Sequence, residues 1–259
     1  MVSSQTQTRA PALFISHGGG PFPLFADDHE SYRAMLHSHT YLFDNTDEPH
    51  ISGGDSPGFF YDYEHMRNTL PAKCFELQYQ GSGDAALAKN IANRLRTTGF
   101  LPVIEERAWD YGVYVPMGIM FPDGIIPIVQ MSKNIRLGQA LEPFRDEGYA
   151  IVGSGGSSHD FGKIAAAYFD KEGKAPKPPK EIQLFEDFLM DVAETQDLEW
   201  RKKKLCGWRE APSNQLAHLL GSSEHLMPYM VVAGSGGNDA GRRLDQWSLK
   251  GTPVGLYLW

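Results

Sequence analysis

The sequence predicts an α/β fold: a single domain with a central mixed sheet flanked by helices. Three observations carry this expectation. Short continuous apolar runs, "ALFI" at 12–15 and "YAIVGSG" at 149–155, have the character of strands covered on both faces. A longer segment, "SGDAALAKNIANRLRTTGF", repeats apolar residues at helical spacing. The two kinds of segment alternate along the chain, which favours helices packed over a buried sheet.

Taken in order, residues 1–9 read as a flexible tail, and 10–259 as one domain whose first strand is Ala12 to Ile15. From Asp27 to Phe60 the pattern is irregular and rich in His, Asp, Ser and Gly, too long for an idle loop in a compact domain. The first clear helix has Asp84 as its cap, Leu87, Ile91 and Leu95 along one face, and Gly99 as its stop. "FLPVIEE" follows as a strand. "GIIPIVQMS" at 124–132 reads as another, with Pro127 arguing for an edge or a bulge. "ALEPFRDEG" makes a short helix closed by Gly148, and the "YAIVGSG" strand comes next. The linker "KEGKAPKPPK" leads into "EIQLFEDFLMDVAE", whose Ile182, Phe185, Leu189 and Val192 form one apolar stripe. "TPVGLYLW" supplies a last strand. "VGSGGSSHD" and "AGSGGND" echo each other too briefly to mark a repeat.

Composition excludes some partners. The formal charge is −8, from 24 basic and 32 acidic residues, which argues against nucleic acid or an anionic membrane as a binding surface. "RKKK" at 201–204 reads as a solvated helix face. Cys74 and Cys206 have no disulfide, zinc or redox spacing and read as small hydrophobes or idle thiols. The N-terminus lacks an apolar targeting core, and no apolar run approaches a membrane span. The expectation is a cytoplasmic protein, with oligomeric state left open.

Two histidines stand out by position. His17 follows the first strand, and His159 follows the strand ending near Gly153. Ligands of open α/β sheets gather at the carboxyl ends of strands, so both rings can face one cleft. The glycines of "HGGGP" and "GSGGSSH" would let a substrate approach the backbone. A third candidate is "SSEHLMPYM", where Ser222 or Ser223 can cap a helix whose first turn carries Glu224 and His225. His29, His37, His39, His50, His65 and His218 read mostly as exposed loop residues. Neither glycine-rich stretch has a phosphate-loop or dinucleotide pattern, and no G-x-S-x-G nucleophile motif is present.

Together these segments resemble the class III extradiol ring-cleavage dioxygenases, in the branch that contains DOPA 4,5-dioxygenase-like proteins. "PALFISHGGGPFPL" is similar to the family's opening strand and first metal-binding histidine. "PHISGGDSPGFFYDY", "ELQYQGSGDAALAKNI", "GVYVPMGIMFPDGIIPIVQMS", "FRDEGYAIVGSGGSSHDF" and "SSEHLMPYMVVAG" follow in the family's order. The third of these resembles the family's long central strand region. The resemblance implies one non-haem iron(II), with zinc often in its place, a catechol substrate and dioxygen as partners, and the fold of that extradiol dioxygenase branch. It implies His17 and His225 as metal ligands and His159 as the acid/base residue, with Glu224 as the neighbouring carboxylate.

The sequence departs from the pattern in three respects. Counting back from Tyr61 without gaps puts Phe43 where the family carries its second ligand, in a segment shortened by some tens of residues. His39 takes that role if the register shifts, and His50 is the other option. Tyr111 in "WDYG" stands where the family usually has histidine. The leading expectation is therefore an extradiol dioxygenase acting on a DOPA-like catechol. The alternatives are a degenerate member serving as a binding or structural protein, and a metal-assisted hydrolase using the same cleft.

Overall fold

The structure is a computed structural model that describes residues 9–18, 24, 50–61, 64, 67–68, 70–131, 135–160, 163–164, 166–167, 170, 174, 177–220 and 223–259. Its main sheet has four strands: β1 (Ala12–Ser16), β4 (Ile151–Gly155), β5 (Arg242–Leu249) and β6 (Thr252–Leu258). Their order is β4-β1-β6-β5, with β1 parallel to β4 and antiparallel to β6. A separate parallel pair joins β2 (His50–Ser52) to β3 (Val103–Glu105). The expected mixed sheet flanked by helices is present.

β1 shows why a continuous apolar run was needed. Ala12 and Phe14 enter one core cluster, formed with α1 (Ala85–Thr97), α3 (Ile135–Asp146), α4 (Gln183–Glu194) and α7 (Met227–Ser235). Leu13 and Ile15 enter the other, which contains most of α2 (Tyr111–Met120). Successive side chains of a strand face opposite sides, so a strand with two covered faces cannot alternate with polar residues. α1 follows its sequence signals: the Asp84 carboxylate accepts from the Leu87 N–H at 2.8 Å, and Gly99 past its end has φ +86°.

Several expectations are corrected. "GVYVPMGIM", read by resemblance as central strand, is the helix α2. Its valines and aromatics favour a strand locally, but the helix is apolar on nearly every side and buried within the second cluster, so no helical period shows. Residues 124–132 form no strand among the described positions. Met131 bridges Ile51, and Gln130 and Ser52 exchange bonds, while Pro127 has no N–H to extend a ladder. β5 carries no clear strand signal in the sequence. It pairs with β6 through a turn at Lys250 and Gly251, with φ of 51° and 93°, the paired left-handed geometry of a two-residue hairpin.

The "RKKK" reading fails at its first residue. Arg201, on α5 (Leu198–Cys206), is fully buried, and its guanidinium donates to the carbonyls of Thr195, Ala233, Gly237 and Asp239. The three lysines after it remain at least partly exposed. Arg9, at the end of the expected tail, pairs with Glu142, Asp146 and Asp239. Among the described residues, no helix is long and apolar enough to cross a membrane.

Candidate functional site

β1 and β4 run parallel in register, Ser16 beside Gly155, so both chains leave the sheet at the same edge. His17 is the next residue after β1, and the loop 156–159 is the continuation of β4. The third contribution comes from the segment before α7. The Gly156 N–H donates to the His225 carbonyl at 2.8 Å, and a Cβ on Gly155 would overlap that same oxygen. Glycine at 155 thus lets the backbone of His225 rest directly on the strand end.

These three elements bring the rings together. His17 Nε2 lies 3.1 Å from His225 Nδ1, and the other nitrogen of His17, Nδ1, lies 3.2 Å from the Ser154 hydroxyl. The His159 and His225 rings stack with centroids 3.6 Å apart. Glu224 Oε1 is 3.7 Å from His225 Nε2. His17 is 5% exposed and Ser154 2%, whereas the Glu224 side chain is 48% exposed, so the group runs from the sheet edge outward to solvent. Tyr111, at the start of α2, packs edge-on against His17 with centroids 4.9 Å apart.

Burial lowers the His159 pKa below its ordinary value, while the charges of Glu224 and Asp160 oppose the shift. The net direction keeps this imidazole neutral near pH 7, able to accept a proton.

The structure brings His17, His159, Glu224 and His225 to one place. His39 and Phe43 lie outside the described residues. His50 sits on β2, where its Nδ1 pairs with Glu105 at 2.9 Å. Ser223 makes no side-chain cap to a helix, Glu224–Leu226 form a 3-10 turn, and α7 begins at Met227 with Pro228 in its first turn. His218, expected in an exposed loop, is fully buried, and its Nε2 donates to the Ser157 carbonyl at 2.9 Å. Ser154 was missed altogether. Its signal was a hydroxyl inside an otherwise apolar covered strand, where a polar side chain needs a partner.

The donor set fits a divalent metal. Two imidazole nitrogens 3.1 Å apart suit a shared cation with metal–nitrogen bonds of about 2.0–2.1 Å. His159, Glu224 and His225 bring one ligand atom each within 4.8 Å of one another. Imidazole and carboxylate together suit zinc or non-haem iron.

Comparisons with known proteins identify the family. Residues 24–255 match the family described as the catalytic LigB subunit of aromatic ring-opening dioxygenase, a match that begins beyond His17. The chain is 30% identical to dioxygenase tasH of Hapsidospora irregularis, over 96% of this chain and 85% of that protein. It is 32% identical to 4,5-DOPA dioxygenase extradiol of Portulaca grandiflora, over 74% and 69% of the two chains. With the enzyme of the same name from Beta vulgaris it shares 29% identity, over 88% and 87%. The crystal structure of an uncharacterized Escherichia coli protein, 20% identical, superposes with a TM-score of 0.67 over 96% of this chain and 99% of that one, a likeness of fold. The chain belongs to the family of LigB catalytic subunits of aromatic ring-opening dioxygenases.

Proposed function

We propose that this chain is a metal-dependent extradiol dioxygenase that opens the ring of a DOPA-like catechol with dioxygen. The observation that carries the reading is the approach of His17 to His225 at 3.1 Å, with His159 stacked on the same ring. His17 and His225 are the assigned ligands, and His39 substitutes, by a shift of register, for the second ligand whose family position falls on Phe43. Glu224 is the carboxylate within reach of His225. Residues 10–259 act as one catalytic unit in the cytoplasm.

Bound iron(II), with zinc as the ion that can replace it, supplies Lewis-acid and redox chemistry that lets an electron-rich ring react with dioxygen. The protein's own groups do the rest. Ser154 fixes the orientation of the His17 ring through Nδ1. His159, neutral and partly buried, takes a proton from a catechol hydroxyl at a ring nitrogen and returns it as the ring opens. Tyr111 borders His17 where family members usually carry histidine, so it shapes the substrate side of the ligand.

The test is metal content together with oxygen uptake. Anaerobic loading with iron(II) should give about one equivalent bound, and a catechol should then consume dioxygen and yield a yellow ring-opened product. His17→Ala and His225→Ala should each abolish stoichiometric binding. Failure of the wild-type protein to hold any metal would remove the reading. Stoichiometric metal without oxygen uptake would favour a degenerate binding protein, the alternative that Phe43 at the second ligand position suggests.

A further inference from the structure

Glu186 is a carboxylate in the wrong place for surface chemistry. It lies on α4, fully buried, and accepts from the Tyr257 hydroxyl at 2.7 Å through Oε2. A Cβ on Gly255 would occupy the same space as Oε2, so β6 leaves a gap that this carboxylate fills. Oε1 has no hydrogen-bond partner among the described residues.

What lies across from it is the loop that carries His159. Ser157 Oγ accepts from the N–H of Gly255 at 2.8 Å, and Gly255 is the residue whose missing side chain makes room for Glu186 Oε2. The Ser157 carbonyl is held by His218, whose ring packs edge-on against Phe185, the neighbour of Glu186 on α4. The His159 N–H donates to the Ala217 carbonyl at 2.6 Å. Two consecutive residues of one helix therefore back the loop, Glu186 by way of Gly255 and Phe185 by way of the histidine that grips the Ser157 carbonyl.

We propose that Glu186 is a positioning residue: packed on Gly255, whose N–H holds Ser157, it steadies the loop that presents His159 to the candidate metal site. The assignment of a catalytic task to that loop rests on the function proposed above; the mechanical link does not. The ionisable and charged groups facing Glu186 are Tyr257 from β6, Arg243 from β5 and Tyr229 from α7. Burial pushes the Glu186 carboxyl up to about 7, against the pull of the Ser157 and Tyr257 hydroxyls and the Arg243 charge. Ionisation near neutrality puts a poorly solvated charge behind the loop and favours local opening that admits water.

The experiment is amide hydrogen exchange of the peptide spanning 153–160, taken as a ratio to the β1 peptide so that intrinsic pH effects cancel. In the wild-type protein this ratio should rise about fivefold between roughly pH 6 and pH 8. Glu186→Gln keeps the size and an acceptor for Tyr257 but cannot ionise, so its ratio should stay flat. Ser157→Ala removes the link alone and should raise the ratio at both pH values. With a catechol, it should also lower kcat about tenfold while leaving KM and metal stoichiometry unchanged. A folded Ser157→Ala with the wild-type ratio, or a pH-independent wild-type ratio, overturns the proposal. Absence of oxygen uptake by wild-type protein would defeat the ring-opening reading, and the exchange ratios would still decide the positioning role.

Discussion

His17 Nε2 and His225 Nδ1 lie 3.1 Å apart although 208 positions separate the two residues in the chain. The approach is produced by the fold: a parallel pair of strands ends at one edge, and a backbone contact at Gly155 and Gly156 sets the His225 segment on that edge. Orientation of the rings is a separate matter, and it depends on groups that are not ligands themselves.

Ser154 is the first of these. Ser154→Ala removes the partner of His17 Nδ1, so zinc affinity should fall about tenfold. Competition against a chromophoric chelator measures it. Unchanged affinity would mean that packing against Tyr111 alone orients the ring.

His159→Gln separates proton transfer from metal binding. The variant should keep its metal equivalent and its KM for a catechol, while kcat falls by about 100- to 10,000-fold. Steady-state oxygen consumption with metal analysis on the same sample checks both halves. Loss of the metal instead would make His159 a ligand.

Glu186 gives stability a predictable pH dependence. Its folded pKa of about 7 exceeds the ordinary 4.5, so between these values the unfolded chain releases a proton that the folded protein keeps. Folding stability therefore falls as pH rises through that window, and the full penalty is present above about 7. Relative to wild type, Glu186→Gln should gain roughly 3 kcal/mol between acid and mildly alkaline pH. Urea unfolding at a series of pH values measures the gain. A difference that does not vary with pH would show that the carboxyl titrates alike in the folded and unfolded chains, so that burial does not shift it.

Arg201 is a stability centre. Its guanidinium satisfies carbonyls at the ends of α4 and α7 from a fully buried position. Arg201→Met leaves those oxygens without donors and should cost about 3–5 kcal/mol by urea denaturation. Arg201→Lys should recover only part, because an ammonium cannot reach several carbonyls in a planar fork.

The sequence made β1 and α1 readable because their signals are local: a run of four apolar residues, a cap, a helical stripe, a glycine stop. α2 was misread because a helix buried on nearly every side has no polar face to reveal its period. β5 was missed because most of its residues are only partly covered, leaving a weak alternation. His17 and His159 could be singled out by their places after strands and beside glycines. Glu186, His218 and Ser154 could not. The meaning of a buried polar residue lies in its partners, and here Tyr257, Ser157 and His17 all come from distant parts of the chain.

Gly155 has a consequence for how this protein can change over time. Because its missing side chain is filled by a carbonyl of the segment bearing His225, even a methyl group there would lift an imidazole away from its neighbour without touching either ring. Drift in the lineage should then meet its strictest limit at a position with no reactive atoms at all. A survey of tolerated substitutions would find silence at 155 and freedom at outward-facing positions such as Leu220.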